Sequence, residues 1–314
     1  MITRAVVMTG PGELTVQDVG LRDCDAEDVV VDIHYSGIST GTEKLFWSGT
    51  MPPFPGMGYP LVPGYESTGE VVSAHKSTGF KPGDFVFVPG ADCFMKPLRS
   101  LFGGAARRIT SPAKRLIKID PKMGENGALF ALAATARHAI AGFGNKMPDV
   151  IVGHGVLGRL LARLVILAGE KPPIVWESNI VRHTGATGYE VVLPEYDKES
   201  DYDCIYDVSG DSGILDKLIG RVRKGGEIVL AGFYPERLSF GFPQAFLKEV
   251  AIRVSAEFLP EDVSTTKLLI EDGSLSFDGL VSDVFSVDKA ADAYNIAFNK
   301  PECLKMVLDW RNAA

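Results

Sequence analysis

Short runs of β-branched and aromatic residues, several alternating with polar ones, fill the first third of the chain. AVVM, LTVQDV, DVVVDIHY, GEVVSA and DFVFVPG are the clearest, with Gly, Pro and Asp between them. Period-two alternation broken by turn residues roughly every ten positions predicts strands joined by tight turns, hence a small barrel or sandwich. The texture changes near residue 121. Residues 125–143, ENGALFALAATARHAIAGF, are rich in Ala and Leu and hold no internal Pro, which predicts a buried helix. Beyond it, DVIVG, IVWE, EVVL, DCIYDVSG, GEIVLAGF and AIRVSAEF predict strands, while VLGRLLARLVILAG and SGILDKLIGRVRK predict helices between them. This alternation is the pattern of an α/β domain with a doubly wound parallel sheet.

The C-terminal stretch carries EDVSTTKLLIEDG and DKAADAYNIAFNK as helices, with LVSDVFSV and the strand CLKMVLDW. The parallel sheet is complete by then, so this tail is expected to return to the first domain. The expected organisation is one domain from 1–120 completed by 262–314, and a second from 121–261.

Composition narrows the function classes. Of 314 residues, 46% are apolar and 23% charged, which is a globular balance. Lys and Arg number 32 against 40 Asp and Glu, for a net charge of −8, and an acidic chain is poorly suited to gripping a nucleic-acid backbone. No apolar run approaches the roughly 18 residues of a membrane span. The opening MITRAVVMTGPGELTV turns polar too early for a secretory signal. Cys24, Cys93, Cys204 and Cys303 are too scattered for a C-x-x-C pair. The expectation is a cytoplasmic protein that handles a small molecule.

The sharpest local motif is Gly153-His154-Gly155-Val156-Leu157-Gly158, which follows a predicted strand and opens a predicted helix. In that setting the first glycine permits the turn and the second admits a pyrophosphate. The third lets helix and strand pack closely, and the helix N-terminus offers N–H groups to the phosphates. The next strand ends at Glu177, nineteen residues after Gly158. An acid there accepts the adenosine ribose hydroxyls and repels a 2′-phosphate; no Arg follows at once, which favours NAD over NADP.

Several further segments resemble the medium-chain dehydrogenase/reductase superfamily: Lys81-Pro82-Gly83-Asp84, Gly103-Gly104-Ala105 followed by Lys114–Asp120, Arg137-His138-Ala139, Gly225-Gly226-Glu227 and Phe277–Ala293. The resemblance implies a GroES-like β-barrel catalytic domain, formed by both chain ends, beside a Rossmann domain that binds NAD. The zinc-dependent branch takes its metal from a Cys in one loop, a His in a second and a Cys or Glu on a following helix. Here the first loop reads Gly37-Ile38-Ser39-Thr40-Gly41-Thr42-Glu43, with one extra residue. The second reads Gly64-Tyr65-Glu66, with Tyr in the His slot, and the third slot falls near Ala131. Zinc is bound through thiolate, imidazole or carboxylate, so no metal is expected. Residues 36–66 resemble a branch of the superfamily that serves bacteriochlorophyll synthesis. That likeness implies NAD-dependent oxidation of the 3-(1-hydroxyethyl) group of a chlorin or bacteriochlorin to 3-acetyl, with the tetrapyrrole as the partner.

Without zinc, something else must take the alcohol proton. The expected group is a hydroxyl relay through Thr42 and Tyr65, with Glu66 or His34 behind it. Each has a plainer reading: Tyr65 fills the space of a metal, Thr42 caps a turn, and Glu66 belongs to an ion pair. Phe46, Trp47, Phe54, Met57 and Tyr59 are the expected wall for a flat pigment, or else a local core beneath the barrel. Two rival functions stand beside this one: a zinc-free quinone or enone reductase using NADPH, and a dinucleotide-binding sensor without turnover. The residues do not fix the oligomeric state, and a homodimer is one expectation.

Overall fold

The computed structural model describes residues 1–53, 56–141 and 145–313. It divides into two compact units, Met1–Ala131 with Phe277–Ala314, and Leu132–Ser276.

The first unit contains β1 (Ile2–Gly10), β2 (Glu13–Gly20), β3 (Asp28–Gly37), the short helix α1 (Thr42–Ser48), β4 (Leu61–Pro63), β5 (Ser67–Ala74), β6 (Phe85–Val88), β7 (Arg99–Leu101), β8 (Arg108–Pro112) and β9 (Ile117–Lys118). One sheet runs β2-β1-β4-β7. The C-terminal tail supplies β16 (Asp283–Ser286), helix α7 (Ala290–Asn299) and β17 (Met306–Asp309). The second sheet runs β16-β17-β3-β5-β6-β9, with β8 also on β3, so β17 does return to the first unit, antiparallel to β3. Alternation along the strands sends Val6, Met8, Val31, Ile33, Val86, Val88 and Leu308 into one core, which Trp310 joins with its indole N–H on Ser36 Oγ at 2.8 Å. Each such side chain contributes about 1.5–3 kcal/mol when fully buried.

The second unit holds helix α2 (Phe130–Ala141), which begins at its border, then β10 (Val150–Val152), α3 (Val156–Leu167), β11 (Ile174–Trp176), β12 (Glu190–Val192), β13 (Tyr202–Asp207), α4 (Leu215–Arg221), β14 (Val222–Leu230), α5 (Phe242–Lys248), β15 (Ala251–Val254) and α6 (Pro260–Glu271). Its six strands pair in parallel throughout, in the order β12-β11-β10-β13-β14-β15. Numbered within the unit that is 3-2-1-4-5-6, the doubly wound order with its switch point beside β10. Val150, Ile151 and Val152 are buried on both faces, which is why that strand reads as unbroken apolar sequence.

Three expectations need correction. The helix expected over 125–143 starts at Phe130, because Gly124 adopts φ 51°, ψ −131° and residues 121–129 form tight 3-10 turns instead; residues 142–144 lie outside the described chain. The helix expected through Lys224 ends at Arg221, since Val222 already belongs to β14. Finally, α6 groups with the second unit rather than crossing back at 262. Asp262 explains this: buried, it accepts from Arg137 at 3.1 Å and pairs with His138 Nδ1 at 2.7 Å, pinning α6 to α2. Among the described residues no helix is long and apolar enough to cross a membrane.

Candidate active site

The first unit gathers three hydroxyls. Gly64, at φ 103°, allows the chain to turn where a Cβ would meet the Ala105 backbone nitrogen at 2.8 Å. This close approach, with Gly104 N–H donating to the Gly64 carbonyl, fixes Tyr65 beside the loop that follows β3. There Tyr65 Oη lies 2.7 Å from Ser39 Oγ, and Ser39 Oγ accepts the Thr42 backbone N–H at 3.3 Å. The Thr42 side chain also lies beside the Tyr65 phenol and favours its ionised form. Burial pushes the Tyr65 phenol well above its usual range, so it stays neutral and can pass a proton but not store one as phenolate. Thr42 and Tyr65 are therefore brought together, and Ser39 joins them.

Glu66 does not stand behind Tyr65 as the expected acceptor. Its carboxylate is fully buried and ion-paired with Lys305, itself buried, whereas its other oxygen, Oε1, has no hydrogen-bond partner. His34 sits against the Phe85 ring, 5.4 Å between centroids, in the field of Glu70, Asp32, Arg107 and Arg311, and makes no hydrogen bond from its ring to the hydroxyl group. The carboxyl that does reach the hydroxyl loop is Glu43. It is buried on α1, accepts the Ser39 N–H at 3.3 Å and takes the Tyr294 hydroxyl of α7 at 2.8 Å.

The Glu66–Lys305 pair supports this arrangement from below. Replacing Lys305 by Met should leave an uncompensated buried carboxylate and lower unfolding free energy by about 3–5 kcal/mol in a urea titration. The loss should deepen as pH rises. Glu66 would hold its proton in the folded variant but lose it in the unfolded chain, so the unfolded state binds fewer protons.

The residues in the three expected metal slots, Ser39, Tyr65 and Ala131, offer no thiolate, imidazole or carboxylate, and the two hydroxyls satisfy each other. Among the described residues no cluster of three or more His, Cys, Asp and Glu could hold an ion. A resident zinc does not fit this site.

The expected pigment wall divides. Phe46 is 2% exposed and belongs to the barrel core, because α1 turns it inward; it is not available to a ligand. Trp47 packs on Tyr294 and Phe298, with centroids 6.5 and 6.1 Å apart, and stays half-buried. Met57 and Tyr59 are half-buried against the same core, with the Tyr59 hydroxyl donating to the Phe46 carbonyl. Phe54 lies outside the described residues. Phe102, not singled out from sequence, is 40% exposed and meets the Tyr65 ring edge-on at 5.2 Å. It follows β7, and the backbone pairing of residues 102–105 with 62–64 puts it there.

In the second unit, Gly153 takes φ 104° and donates to the Trp176 carbonyl at 2.7 Å. A Cβ on Gly158 would lie 1.9 Å from the Gly153 carbonyl oxygen, whereas one on Gly155 would meet only a guanidinium nitrogen of Arg182, at 3.9 Å. Gly155 therefore opens onto space with a cation at its rim. The loop feeds α3, whose first turn, from Val156 and Leu157, has no side-chain cap, so its N–H groups remain for an anion. Glu177 directly follows β11, accepting His154 N–H at 2.9 Å and Asn179 N–H at 2.8 Å.

His154 behaves differently from a phosphate ligand. Its ring is wholly buried, with Nδ1 on the Arg182 carbonyl at 2.6 Å and Nε2 on the Tyr189 hydroxyl at 2.8 Å. Burial pulls its pKa down to about 4, so it is neutral, donating from Nδ1 and accepting at Nε2. Arg159 adds bonds to the carbonyls of His154, Arg182 and Thr184, at 3.1, 3.2 and 2.8 Å. Together these tie the glycine loop to the segment after Glu177. Arg182 lies five positions beyond Glu177, outside the motif that the sequence makes visible.

Residues 25–121 match the family model described as the alcohol dehydrogenase GroES-like domain. Over 313 residues the chain is 60% identical to 2-desacetyl-2-hydroxyethyl bacteriochlorophyllide A dehydrogenase of Rhodobacter capsulatus, covering 100% of both chains. It is 55% identical over 318 residues to the protein of the same name from Cereibacter sphaeroides, again covering 100% of both. In fold it is similar to a zinc-binding dehydrogenase of Sinorhizobium meliloti solved with NADP, with a TM-score of 0.81 and 21% identity over 98% of this chain and 99% of that one.

Proposed function

The chain belongs to the family of 2-desacetyl-2-hydroxyethyl bacteriochlorophyllide A dehydrogenases, and from that premise we propose that it oxidises the 1-hydroxyethyl group of a bacteriochlorophyllide or related chlorophyllide to acetyl, with NAD⁺ as acceptor and without a metal ion. The observation that carries the reaction is identity of 60% along the whole length of a relative so named. The chain's own residues supply the manner of it.

A nicotinamide dinucleotide fits the second unit. Gly155 and the first turn of α3 would receive the pyrophosphate, Arg182 would face its charge, and Glu177 would take the ribose hydroxyls. Held there, it would supply the nicotinamide ring as acceptor for the hydride of the carbinol carbon. Glu177 keeps lone pairs beyond those used by His154 and Asn179, and its charge opposes a 2′-phosphate. This supports NAD over the NADP seen in the Sinorhizobium structure.

In the first unit, Tyr65 takes the carbinol proton on its oxygen while its own proton passes to Ser39 Oγ, 2.7 Å away, and Ser39 gives up its hydroxyl proton to water, with the Thr42 side chain beside the phenol. General acid–base help of this kind is worth about 10²–10⁴-fold. The substrate lowers the demand further. Its carbinol carbon is attached to a conjugated macrocycle, so positive character developed as hydride leaves is delocalised into the ring. Phe102 beside Tyr65, together with the half-buried Trp47 and Met57, offers apolar surface for that ring.

The test is to mix the protein with NAD⁺ and 3-(1-hydroxyethyl) bacteriochlorophyllide and follow the absorption of the 3-acetyl pigment against NADH. One NADH per acetyl group is expected, and NADP⁺ should be a poor substitute; no product under any dinucleotide would refute the reading. Glu177→Ala should weaken NAD⁺ by roughly 10–100-fold, the value of a charge-assisted hydrogen bond, and bring NADP⁺ to comparable use.

A further inference from the structure

Beneath the hydroxyls lies a buried charge cluster that the relay does not use. Glu43 and Glu66 are 1% and 0% exposed, and Lys305 is 2% exposed. They come from three distant stretches of the first unit: α1, the turn after β4, and the residue before β17. Tyr294 reaches in from α7 to donate to Glu43, Ser39 donates its backbone N–H from the loop ahead of α1, and the Tyr65 phenol adjoins the pair. Two carboxylates face one ammonium, so a single proton makes the cluster neutral. Lys305 is committed to Glu66. Glu66 Oε1 is a buried acceptor with no partner, the kind of atom that a shared proton satisfies.

Building on the alcohol-dehydrogenase reading above, we propose that Glu43 is a positioning residue for the oxidation: its carboxylate holds Ser39, and through Ser39 the Tyr65 hydroxyl, and loss of its proton sets that alignment. When ionised, Glu43 accepts from both Ser39 N–H and Tyr294 O–H. When protonated, one of its oxygens must itself donate, and the grip on the Ser39 loop changes. Burial and the neighbouring Glu66 raise the Glu43 carboxyl to about 8, while Tyr294 and Lys305 act the other way. The switch therefore falls in a range that an oxidation, which releases a proton, can use.

The experiment is kcat against pH for the full-length protein with NAD⁺ and the hydroxyethyl pigment. In the native protein kcat should rise with pH and level off above a midpoint near 8. Glu43→Gln should flatten that limb and lower the plateau by about 10-fold with KM moved less than about twofold, whereas Glu43→Asp should restore the limb. Tyr294→Phe should shift the midpoint upward, because it removes a donor that favours the ionised form. A limb that survives in Glu43→Gln, with kcat reduced equally at all pH values, would mean a merely structural residue and overturn the proposal. If the native protein fails to oxidise the pigment, the functional reading fails and the inference is judged without substrate. Infrared difference spectra should then show a carboxyl C=O band that titrates near pH 8 and vanishes in Glu43→Gln, and absence of that band overturns the proposal.

Discussion

Tyr65→Phe is expected to reduce kcat for the pigment alcohol by about 10²-fold or more while leaving dinucleotide affinity unchanged. The change deletes one oxygen and retains the ring, so the edge-on packing with Phe102 survives. What goes is the hydroxyl 2.7 Å from Ser39 Oγ, the proposed route of the carbinol proton. Steady-state kinetics, with NAD⁺ binding measured separately by fluorescence, would distinguish this from a packing defect. A fall of less than threefold would mean that Tyr65 only fills the position where related enzymes keep a metal ligand.

Gly158→Ala is the second large effect, and it should strike binding instead of chemistry. The added methyl would sit 1.9 Å from the Gly153 carbonyl oxygen, a backbone atom that moves only if the loop moves. Gly153 is anchored on Trp176, and the loop is tied through His154 to Arg182 and Tyr189, so no soft side chain can absorb the clash. The expected result is at least about 100-fold weaker NAD⁺, equivalent to about 2.7 kcal/mol, with the hydroxyl site of the first unit intact. Calorimetric titration measures it directly; affinity within a factor of three of the native protein would contradict the assignment of this loop to the cofactor.

The contrast between the two sites shows what a linear sequence exposes. The phosphate loop is local: strand, turn and helix lie within about twenty residues, and each glycine answers a steric demand visible in the motif. Its charge partner Glu177 follows at a fixed offset for the same reason. The role of His154 was less legible, because both partners of its ring come from the segment after Glu177 and only the fold shows that the imidazole is enclosed.

The hydroxyl site is assembled from distant stretches. Ser39 and Tyr65 could be placed by their slots in a family pattern, but Glu43 meets Tyr294 across 251 positions and Lys305 meets Glu66 across 239. No periodicity encodes such pairs, so the sequence left Glu66 open as a base or as an ion-pair residue without naming its partner, and the fold pairs it with Lys305. Phe46 failed for a related reason. An aromatic loop rich in Pro and Gly looks like a binding wall, yet α1 turns that one ring into the core. Phe102 went unnoticed because nothing near it in sequence hints at Tyr65.

The central claim is that hydroxyls do here what a zinc ion does in related enzymes. It is tested most directly by metal analysis of the active protein together with turnover of the hydroxyethyl pigment in EDTA. The account predicts metal well below one ion per chain and an undiminished rate of acetyl formation. Activity abolished by EDTA and restored by Zn²⁺ would contradict it.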